Sequence, residues 1–143
     1  TYPLPAALRQ RGLRRYGFHG LSCEHSVQQL ATSRPDLAGA RLIVAHLGSG
    51  TSLTAIRDRR SVATTMGFST LEGPPMSTRS GSLDPGILLH LLREGMSLAT
   101  LEDLLYHESG LRGLSGGTGD MAALLDREAT DADAAFAIAC YVY

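Results

Sequence analysis

The sequence predicts an α/β fold in which helices pack on an antiparallel three-strand meander. Three strand-like runs separated by short turns lie within residues 42–65. Four helical patterns with capping residues follow from Asp84 onwards, and a long irregular segment, residues 66–84, joins the two groups.

The residues before the sheet predict helices and loops. Residues 5–11 form a short helical pattern ended by Gly12, and Ser22 is placed to cap a helix that runs to about Ser33. Between them lies a histidine, His19, flanked by glycines at positions 17 and 20.

The three strands follow in close succession. Residues 42–45 are continuously apolar, which predicts a buried strand, and a glycine-rich turn leads into alternation at Leu53, Ala55 and Ile56. Residues 58–60 then turn the chain into the third extended run, residues 61–65. The resulting order is a meander with a glycine-rich first turn.

Residues 66–84 have neither helical nor strand periodicity. The segment holds three glycines, two prolines and one cation, Arg79. Long irregular segments in compact domains are functional or disordered, and the apolar residues Met66, Phe68, Leu71 and Met76 favour order. We predict an ordered loop that presents Arg79.

The rest of the chain predicts four helices, each begun by a capping side chain. The predicted caps are Asp84, Ser97, Asp120 and Thr130, the last within a capping box that includes Asp133. The first of these helices is expected to bury Ile87, Leu88, Leu91 and Leu92. Residues 111–119 are expected to form a second glycine-rich loop.

Composition excludes several classes of function. All 13 cations are arginine, so the chain holds neither a Walker A lysine nor a Schiff-base lysine, and a net charge of -1 predicts no nucleic-acid or membrane partner. The two cysteines are expected to be free thiols, which predicts a cytoplasmic location. Because both ends are abrupt and no initiator methionine is present, we expect an internal piece of a longer protein.

Four glycine-flanked polar places are the candidates for chemistry. They are His19, the turn at residues 46–51, Arg79 and the loop at residues 116–120. Amides of glycine-rich turns together with an arginine or histidine suit phosphoryl oxygens, and phosphoryl transfer needs mainly positioning and charge stabilisation. Taken singly, the histidine and the glycine turn are also consistent with an ordinary turn residue and an ordinary hairpin.

A metal site is a weaker hypothesis. His19, Cys23 and His25 form the pattern H-x3-C-x-H, but the sequence suggests no fourth ligand. Glu72 is interpreted as part of a turn and Asp84 as a helix cap. No residue of the chain is therefore assigned to a metal.

Several multi-residue motifs resemble those of the acetate kinase family, in order and over nearly the whole chain. The similar stretches are Arg14-Arg15-Tyr16-Gly17-Phe18-His19-Gly20, His46-Leu47-Gly48-Ser49-Gly50, Thr65-Met66-Gly67-Phe68, Leu71-Glu72-Gly73, Thr78-Arg79-Ser80-Gly81, Asp84-Pro85-Gly86, Ser109-Gly110-Leu111 and Ser115-Gly116. Agreement among several such motifs is more specific than any single glycine pattern.

The resemblance implies a ribonuclease-H-like lobe of the actin-like ATPase superfamily, present here in incomplete form. Residues 1–40 would lead into the lobe and residues 41–143 would form the start of the second of two lobes. The implied reaction moves a phosphoryl group between ATP and acetate or propionate, giving an acyl phosphate and ADP with Mg2+ whose ligands lie outside this segment. The full-length protein is expected to be a homodimer, and the isolated segment is expected to be inactive.

The resemblance also implies a role for particular residues. His19 and Arg79 would be catalytic, stabilising the equatorial oxygens of the phosphoryl group in flight. The phosphate-binding turn would comprise His46, Leu47, Gly48, Ser49 and Gly50, and the adenosine site would include Asp120, Met121 and Ala122.

Four departures from the family pattern leave a second hypothesis open. Ser49 replaces the usual Asn, Ser77 the usual Gly, Cys23 a frequent His, and Ala122 the usual Arg. Ser77 would crowd the site next to Arg79 if its backbone required a positive φ. The alternative is a catalytically impaired relative that retains the fold and weak phosphate or partner binding. A sugar-kinase or actin-like relative is a third possibility.

Overall fold

The computed structural model describes residues 2–143. The elements in chain order are the helices α1 (Ala6–Gln10) and α2 (Gly20–Ser33), a 3-10 turn (Pro35–Leu37), the strands β1 (Leu42–Leu47), β2 (Thr51–Arg57) and β3 (Arg60–Thr64), and the helices α3 (Pro85–Arg93), α4 (Leu98–His107), α5 (Gly110–Leu114), α6 (Met121–Leu125) and α7 (Ala132–Val142). Two compact units are present. The first comprises the residues up to Leu47 together with Thr51–Thr70, and the second comprises Gly48–Gly50 and Leu71–Tyr143.

The first unit contains the predicted meander. Its three strands are antiparallel in the order β1-β2-β3, and the register places His46 opposite Ser52. Helix α2 packs on β1. A small core joins the helix to the sheet, and its members are Cys23, Val27, Leu42, Val44 and Ile56. The predicted strand order is confirmed.

The prediction that residues 42–45 form a buried strand is wrong, and the strand continues to Leu47. The strand alternates between half-buried and exposed positions, and Ile43 and Leu47 are 73% and 67% exposed. Successive side chains of a strand point to opposite faces. One face of β1 lies under α2, whereas the described residues leave the other face uncovered.

Helix α2 begins earlier than the sequence indicates. Its N-cap is His19, which adopts a left-handed conformation with φ +62°, and Gly20 is the first helical residue. Ser22, the predicted cap, lies inside the first turn, and its hydroxyl contacts His46. The Ser22 hydroxyl therefore contacts a neighbouring strand instead of capping α2.

The second unit is helical around a core centred on α7, against which α5 and α6 pack. The buried members of this core are Leu111, Leu124, Ala134, Ala137 and Ile138. Three predicted caps are confirmed. Asp84, Ser97 and Asp120 accept hydrogen bonds from the backbone amides of Gly86, Thr100 and Ala122, respectively.

Three predictions for the second unit are wrong. The last helix is capped by Asp131, whose carboxylate accepts from two amides, and not by Thr130. The predicted loop at residues 111–119 begins with helix α5, whose first amides bond to carbonyls of the irregular segment. The stripe on α3 is not buried, since Ile87 is 46% exposed and Leu92 is 39% exposed. That helix packs against α4, and its remaining apolar surface is uncovered in the part of the chain described.

The irregular segment at residues 66–84 is an ordered loop free of helix and strand, as predicted. Met66 in the first unit and Met76 in the second unit are both fully buried. Phe68, also predicted to be an anchor, is half exposed. In residues 2–143 no helix is long and apolar enough to cross a membrane.

Candidate active site

The predicted site residues are divided between the two units. The first unit holds His19, His46 and Leu47, and the second holds Gly48, Ser49, Gly50, Arg79, Asp120, Met121 and Ala122. Within each unit the chain brings several of these residues together.

In the first unit, the imidazoles of His19 and His46 are stacked. Their ring centroids are 3.8 Å apart and the ring planes differ by 15°. His19 comes from the residue before α2, whereas His46 lies near the end of β1. The two rings therefore join the start of the helix to the end of the strand. Leu47, the last residue of β1, points to the exposed side.

Two serine side chains form hydrogen bonds with the stacked histidines. The His19 Nδ1 atom lies 2.9 Å from the Ser52 Oγ on β2, and the His46 Nδ1 atom lies 3.0 Å from the Ser22 Oγ on α2. Each histidine is thus hydrogen-bonded to a serine on a different element. The four side chains form a cluster, which we call the crossed His–Ser cluster.

The segment that leads to His19 is fixed to the loop after β3. The Arg15 Nη1 atom donates to the carbonyls of Thr65 and Met66, at 3.2 and 3.1 Å. The amide of Tyr16 donates to the Gly67 carbonyl at 2.9 Å. Backbone and side-chain contacts therefore hold the chain on the approach to His19.

In the second unit, Ser77 connects the glycine turn to the loop before α6. Its amide donates to the Ser49 carbonyl at 3.2 Å, and its hydroxyl donates to the Gly119 carbonyl at 2.8 Å. Ser49 lies in the predicted phosphate turn, and Gly119 directly precedes Asp120. Ser77 thus connects the glycine turn to the loop before Asp120, and it lies two residues before Arg79.

The backbone around Arg79 is held by α5. The amides of Leu111 and Arg112 donate to the carbonyls of Met76 and Ser77, at 2.8 and 2.9 Å. Because the first amides of a helix have no partner inside it, these loop carbonyls also satisfy the start of α5. The Met76 amide donates to the Arg79 carbonyl at 3.1 Å and closes the turn.

The Arg79 side chain is half-buried, and its Nη1 atom lies 3.6 Å from the Met76 sulfur. Thr78, next to it, donates its hydroxyl to the Tyr106 carbonyl at 2.8 Å. The loop therefore presents the guanidinium from a backbone that α4 and α5 both fix.

Ser77 does not have the strained backbone that would make it crowd the site. The non-glycine residues with positive φ in the described chain are His19, Asp58 and Arg59. Ser77 therefore has no conformational cost from a left-handed backbone, and its hydroxyl donates a hydrogen bond.

The predicted adenosine residues begin helix α6. The Asp120 carboxylate accepts from the Ala122 amide at 2.9 Å, Met121 packs against the helical core, and Ala122 is exposed. A helix-capping role thus occupies one oxygen of Asp120. Contact of these residues with a nucleotide stays a prediction.

The candidate metal set of His19, Cys23 and His25 is not assembled. Cys23 is buried in the core under α2, whereas His25 is exposed on that helix. Among residues 2–143 no group of three histidine, cysteine or acidic side chains is placed to hold a metal ion.

Sequence reasoning missed Ser22 and Ser52. The sequence predicts a helix cap at Ser22, and it places Ser52 in a strand without pointing to a functional role. A signal was available for the second, because Ser52 and Thr54 are polar residues on the face of β2 that also carries Ile56. Small polar residues at core-facing strand positions need buried hydrogen-bond partners.

The whole chain is similar to proteins of one enzyme family. The model of the acetokinase family matches residues 1–143. An acetate kinase from Synechococcus sp. is 52% identical over 145 residues, which cover 99% of this chain and 36% of that protein. An acetate kinase from Methylocella silvestris is 54% identical over 87% of this chain and 31% of that protein. The chain spans about a third of the length of these curated relatives.

Solved structures show the same relationship. The Porphyromonas gingivalis acetate kinase superposes with a TM-score of 0.92 at 34% identity, over 99% of this chain and 36% of that one. A propionate kinase from Francisella tularensis gives a TM-score of 0.92 at 36% identity, over 98% of this chain and 37% of that one. The predicted fold class is confirmed. The three-strand sheet and its helices form part of an actin-like ATPase fold.

Proposed function

The chain belongs to the acetokinase family, and from that premise we propose that it is the central part of a phosphotransferase. Its reaction moves a phosphoryl group between ATP and acetate or another short-chain carboxylate. In the direction of acyl phosphate synthesis, a carboxylate oxygen forms the new bond to the γ-phosphorus. The bond from that phosphorus to the β–γ bridging oxygen breaks, and ADP leaves with the electron pair.

One observation carries this proposal. The loop that presents Arg79 is hydrogen-bonded through Ser77 to the Gly48–Gly50 turn, so a guanidinium and a glycine-rich turn share one framework. Both are groups that proteins use to bind phosphate oxygens. Phosphoryl transfer depends mainly on such preorganised donors, because little covalent chemistry is asked of the protein.

The proposed roles follow from the donors available. Arg79 offers a fixed fork of N–H groups to the equatorial oxygens of the phosphoryl group, and His19 offers an imidazole N–H. Residues 46–50 would bind the phosphates of ATP, and Asp120, Met121 and Ala122 would lie beside its adenosine. Mg2+ would be bound by parts of the protein outside this chain.

We further propose a cytoplasmic homodimer as the working form of the full-length protein. The 143 residues alone would be inactive, because the chain spans about a third of its relatives and carries only part of the fold. Acyl phosphate formation by the purified 143-residue chain would contradict that part of the proposal.

The experiment is substitution in the full-length protein, with acyl phosphate trapped by hydroxylamine. His19→Ala and Arg79→Ala should each lower kcat by about 10²- to 10³-fold, the effect of removing a donor to transition-state charge. His25→Ala is the matched control, because His25 is exposed on the same helix as the His19 cap. Circular dichroism would verify that every variant is folded.

The outcome discriminates between the hypotheses. Unchanged kcat in both His19→Ala and Arg79→Ala would overturn the assigned roles. A wild-type protein that folds and binds phosphate but makes no acyl phosphate would instead favour the impaired relative. In that case, Ser49→Asn and Ala122→Arg should restore activity.

A further inference from the structure

We infer that Ser52 is a positioning residue that fixes the tautomer of His19, so that neutral His19 carries its hydrogen on Nε2. The inference rests on the proposed role of His19 as a hydrogen-bond donor to the phosphoryl group. It adds a residue and a mechanism to that role.

The Ser52 hydroxyl is buried next to the His19 ring. The residue lies on the central strand β2, its exposed fraction is 0%, and its hydroxyl is 2.9 Å from the His19 Nδ1 atom. No other side-chain hydrogen bond of Ser52 occurs within residues 2–143. A buried hydroxyl that leaves its hydrogen unpaired is unfavourable.

The burial of Ser52 determines which of the two side chains donates the hydrogen bond. If His19 donated from Nδ1, the Ser52 hydroxyl hydrogen would have no acceptor in this buried position. If Ser52 donates, its hydrogen is satisfied and Nδ1 serves as the acceptor. In a neutral imidazole one nitrogen is a donor and the other an acceptor, so acceptance at Nδ1 places the hydrogen on Nε2.

Contacts on two sides hold the His19 ring in one orientation. The His19 ring is held at its edge by Ser52 and on its face by His46, which itself contacts Ser22. His46 and Ser52 are direct partners across β1 and β2. The same hairpin therefore supplies both contacts, and it fixes the ring of a residue whose backbone is in the uncommon left-handed region.

The expected consequence is a characteristic dependence on pH. An imidazolium donates from both nitrogens, so its Nε2 is a donor whether or not Ser52 is present. Once the ring is neutral, only the Nε2–H tautomer donates from Nε2, and Ser52 selects it. Loss of Ser52 should therefore matter little in acid and more in alkali.

Four titratable groups of the first unit lie near His19 on the elements around it. His46 is in direct contact from β1, Cys23 lies one turn further along α2 and is buried, and Glu24 and His25 are exposed on α2. Wild type and the Ser52 variants contain the same four neighbouring residues. A pH-dependent difference between Ser52 variants thus reports on the Ser52 hydroxyl.

The experiment uses the full-length protein with 15N-labelled histidine, whose ring nitrogen shifts report the tautomer. The His19 signals are assigned by their loss in His19→Gln. We expect wild type to show a protonated Nε2 and an unprotonated Nδ1, and Ser52→Ala to show a mixture of tautomers. Ser22→Ala is the matched control, since it removes the equivalent hydroxyl from His46 and should leave the His19 tautomer unchanged.

Activity supplies the second readout. Ser52→Ala should lower kcat on the order of tenfold at about pH 8.5, with a smaller loss at about pH 5.5 and little change in KM. Ser52→Cys, which retains a weak donor, should fall between wild type and Ser52→Ala. If Ser52→Ala fails to fold, the wild-type spectrum and the Ser52→Cys profile still decide the matter.

Two results would overturn the inference. One is a wild-type His19 protonated on Nδ1, and the other is a Ser52→Ala protein with the wild-type tautomer and the same fractional loss at both pH values. Failure of the proposed function is distinguishable, because wild type would then make no acyl phosphate, or His19→Ala would keep the full wild-type kcat, whatever the spectra show.

Discussion

Replacement of Gly110 by alanine should loosen the backbone that presents Arg79. Gly110 begins α5 with φ +60°, and a Cβ atom built on it would lie 2.2 Å from the Met76 carbonyl oxygen and 2.5 Å from the Arg79 carbonyl oxygen. Ordinary carbon–oxygen contacts are near 3.3 Å, so the loop would have to retreat by about 1 Å. Because both oxygens belong to the backbone, no side-chain rotation relieves the clash.

The magnitude has two parts. A left-handed backbone costs a non-glycine residue about 1–2 kcal/mol, and overpacking a close contact adds about 1–3 kcal/mol. Gly110→Ala should therefore lower the free energy of unfolding by about 2–5 kcal/mol. If the loop retreats by about 1 Å, kcat of the full-length protein should fall on the order of a hundredfold.

Gly95→Ala provides the matched control. Gly95 has φ +98°, and a Cβ atom there would meet nothing within 4 Å. Its φ is further than that of Gly110 from the left-handed minimum near +57°, so its conformational cost is at least as large. Urea unfolding followed by circular dichroism gives the stabilities, and hydroxylamine trapping gives kcat. Equal losses of stability for the two variants would refute the clash, and an unchanged kcat in Gly110→Ala would refute its link to Arg79.

Two further predictions concern packing and charge. Leu124→Ala, at a fully buried position of the helical core, should lower the free energy of unfolding by about 2–5 kcal/mol, whereas Leu125→Ala, 53% exposed, should change it by about 0.5 kcal/mol or less. Urea unfolding measures both, and similar losses would contradict the core assignment. The Arg34 guanidinium, hydrogen-bonded to Asp36, lowers the pKa of that carboxyl below its ordinary 3.8. Folding is then favoured above the ordinary pKa, and the benefit is lost as pH falls through the lowered one. NMR titration of Arg34→Gln should show the Asp36 pKa moving upwards, and an unmoved titration would contradict the pairing.

Local signals predicted local structure well. Asp84, Ser97 and Asp120 cap the helices that the sequence assigned to them, because capping depends on a side chain and amides two or three residues away. The prediction that Thr130 caps the last helix is wrong, because the carboxylate of its neighbour Asp131 accepts hydrogen bonds from the first amides of that helix. Alternation likewise predicted the meander, since adjacent antiparallel strands need only short turns.

Burial was less predictable than secondary structure. The apolar residues of β1 and α3 were expected inside, yet Ile43 and Ile87 are exposed in the described chain. A periodic pattern identifies which side chains are apolar on a face. It does not identify what covers that face, because coverage depends on elements distant in sequence.

Glycine-rich, irregular stretches of the sequence identify His19 and Arg79 as candidate site residues, and their catalytic roles stay predictions. His19 does have an unusual backbone, with a positive φ, whereas Arg79 does not. The serine partners were not predictable in the same way, since Ser52 meets His19 across 33 residues and only the strand register brings them together. The crossed His–Ser cluster is thus a property of the tertiary fold.

Ser77 shows how a departure from a family pattern can be accommodated by a distant glycine. A Cβ atom built on Gly119 would lie 2.3 Å from the Ser77 carbonyl oxygen and 2.4 Å from the Ser77 Oγ. The serine hydroxyl therefore fits because position 119 has no side chain, and it uses that proximity to donate to the Gly119 carbonyl. Close approach at position 119, and not backbone conformation at position 77, sets the steric limit here. A serine at position 77 thus strengthens the connection between the Arg79 loop and the start of α6, where a glycine would leave the Gly119 carbonyl without this donor.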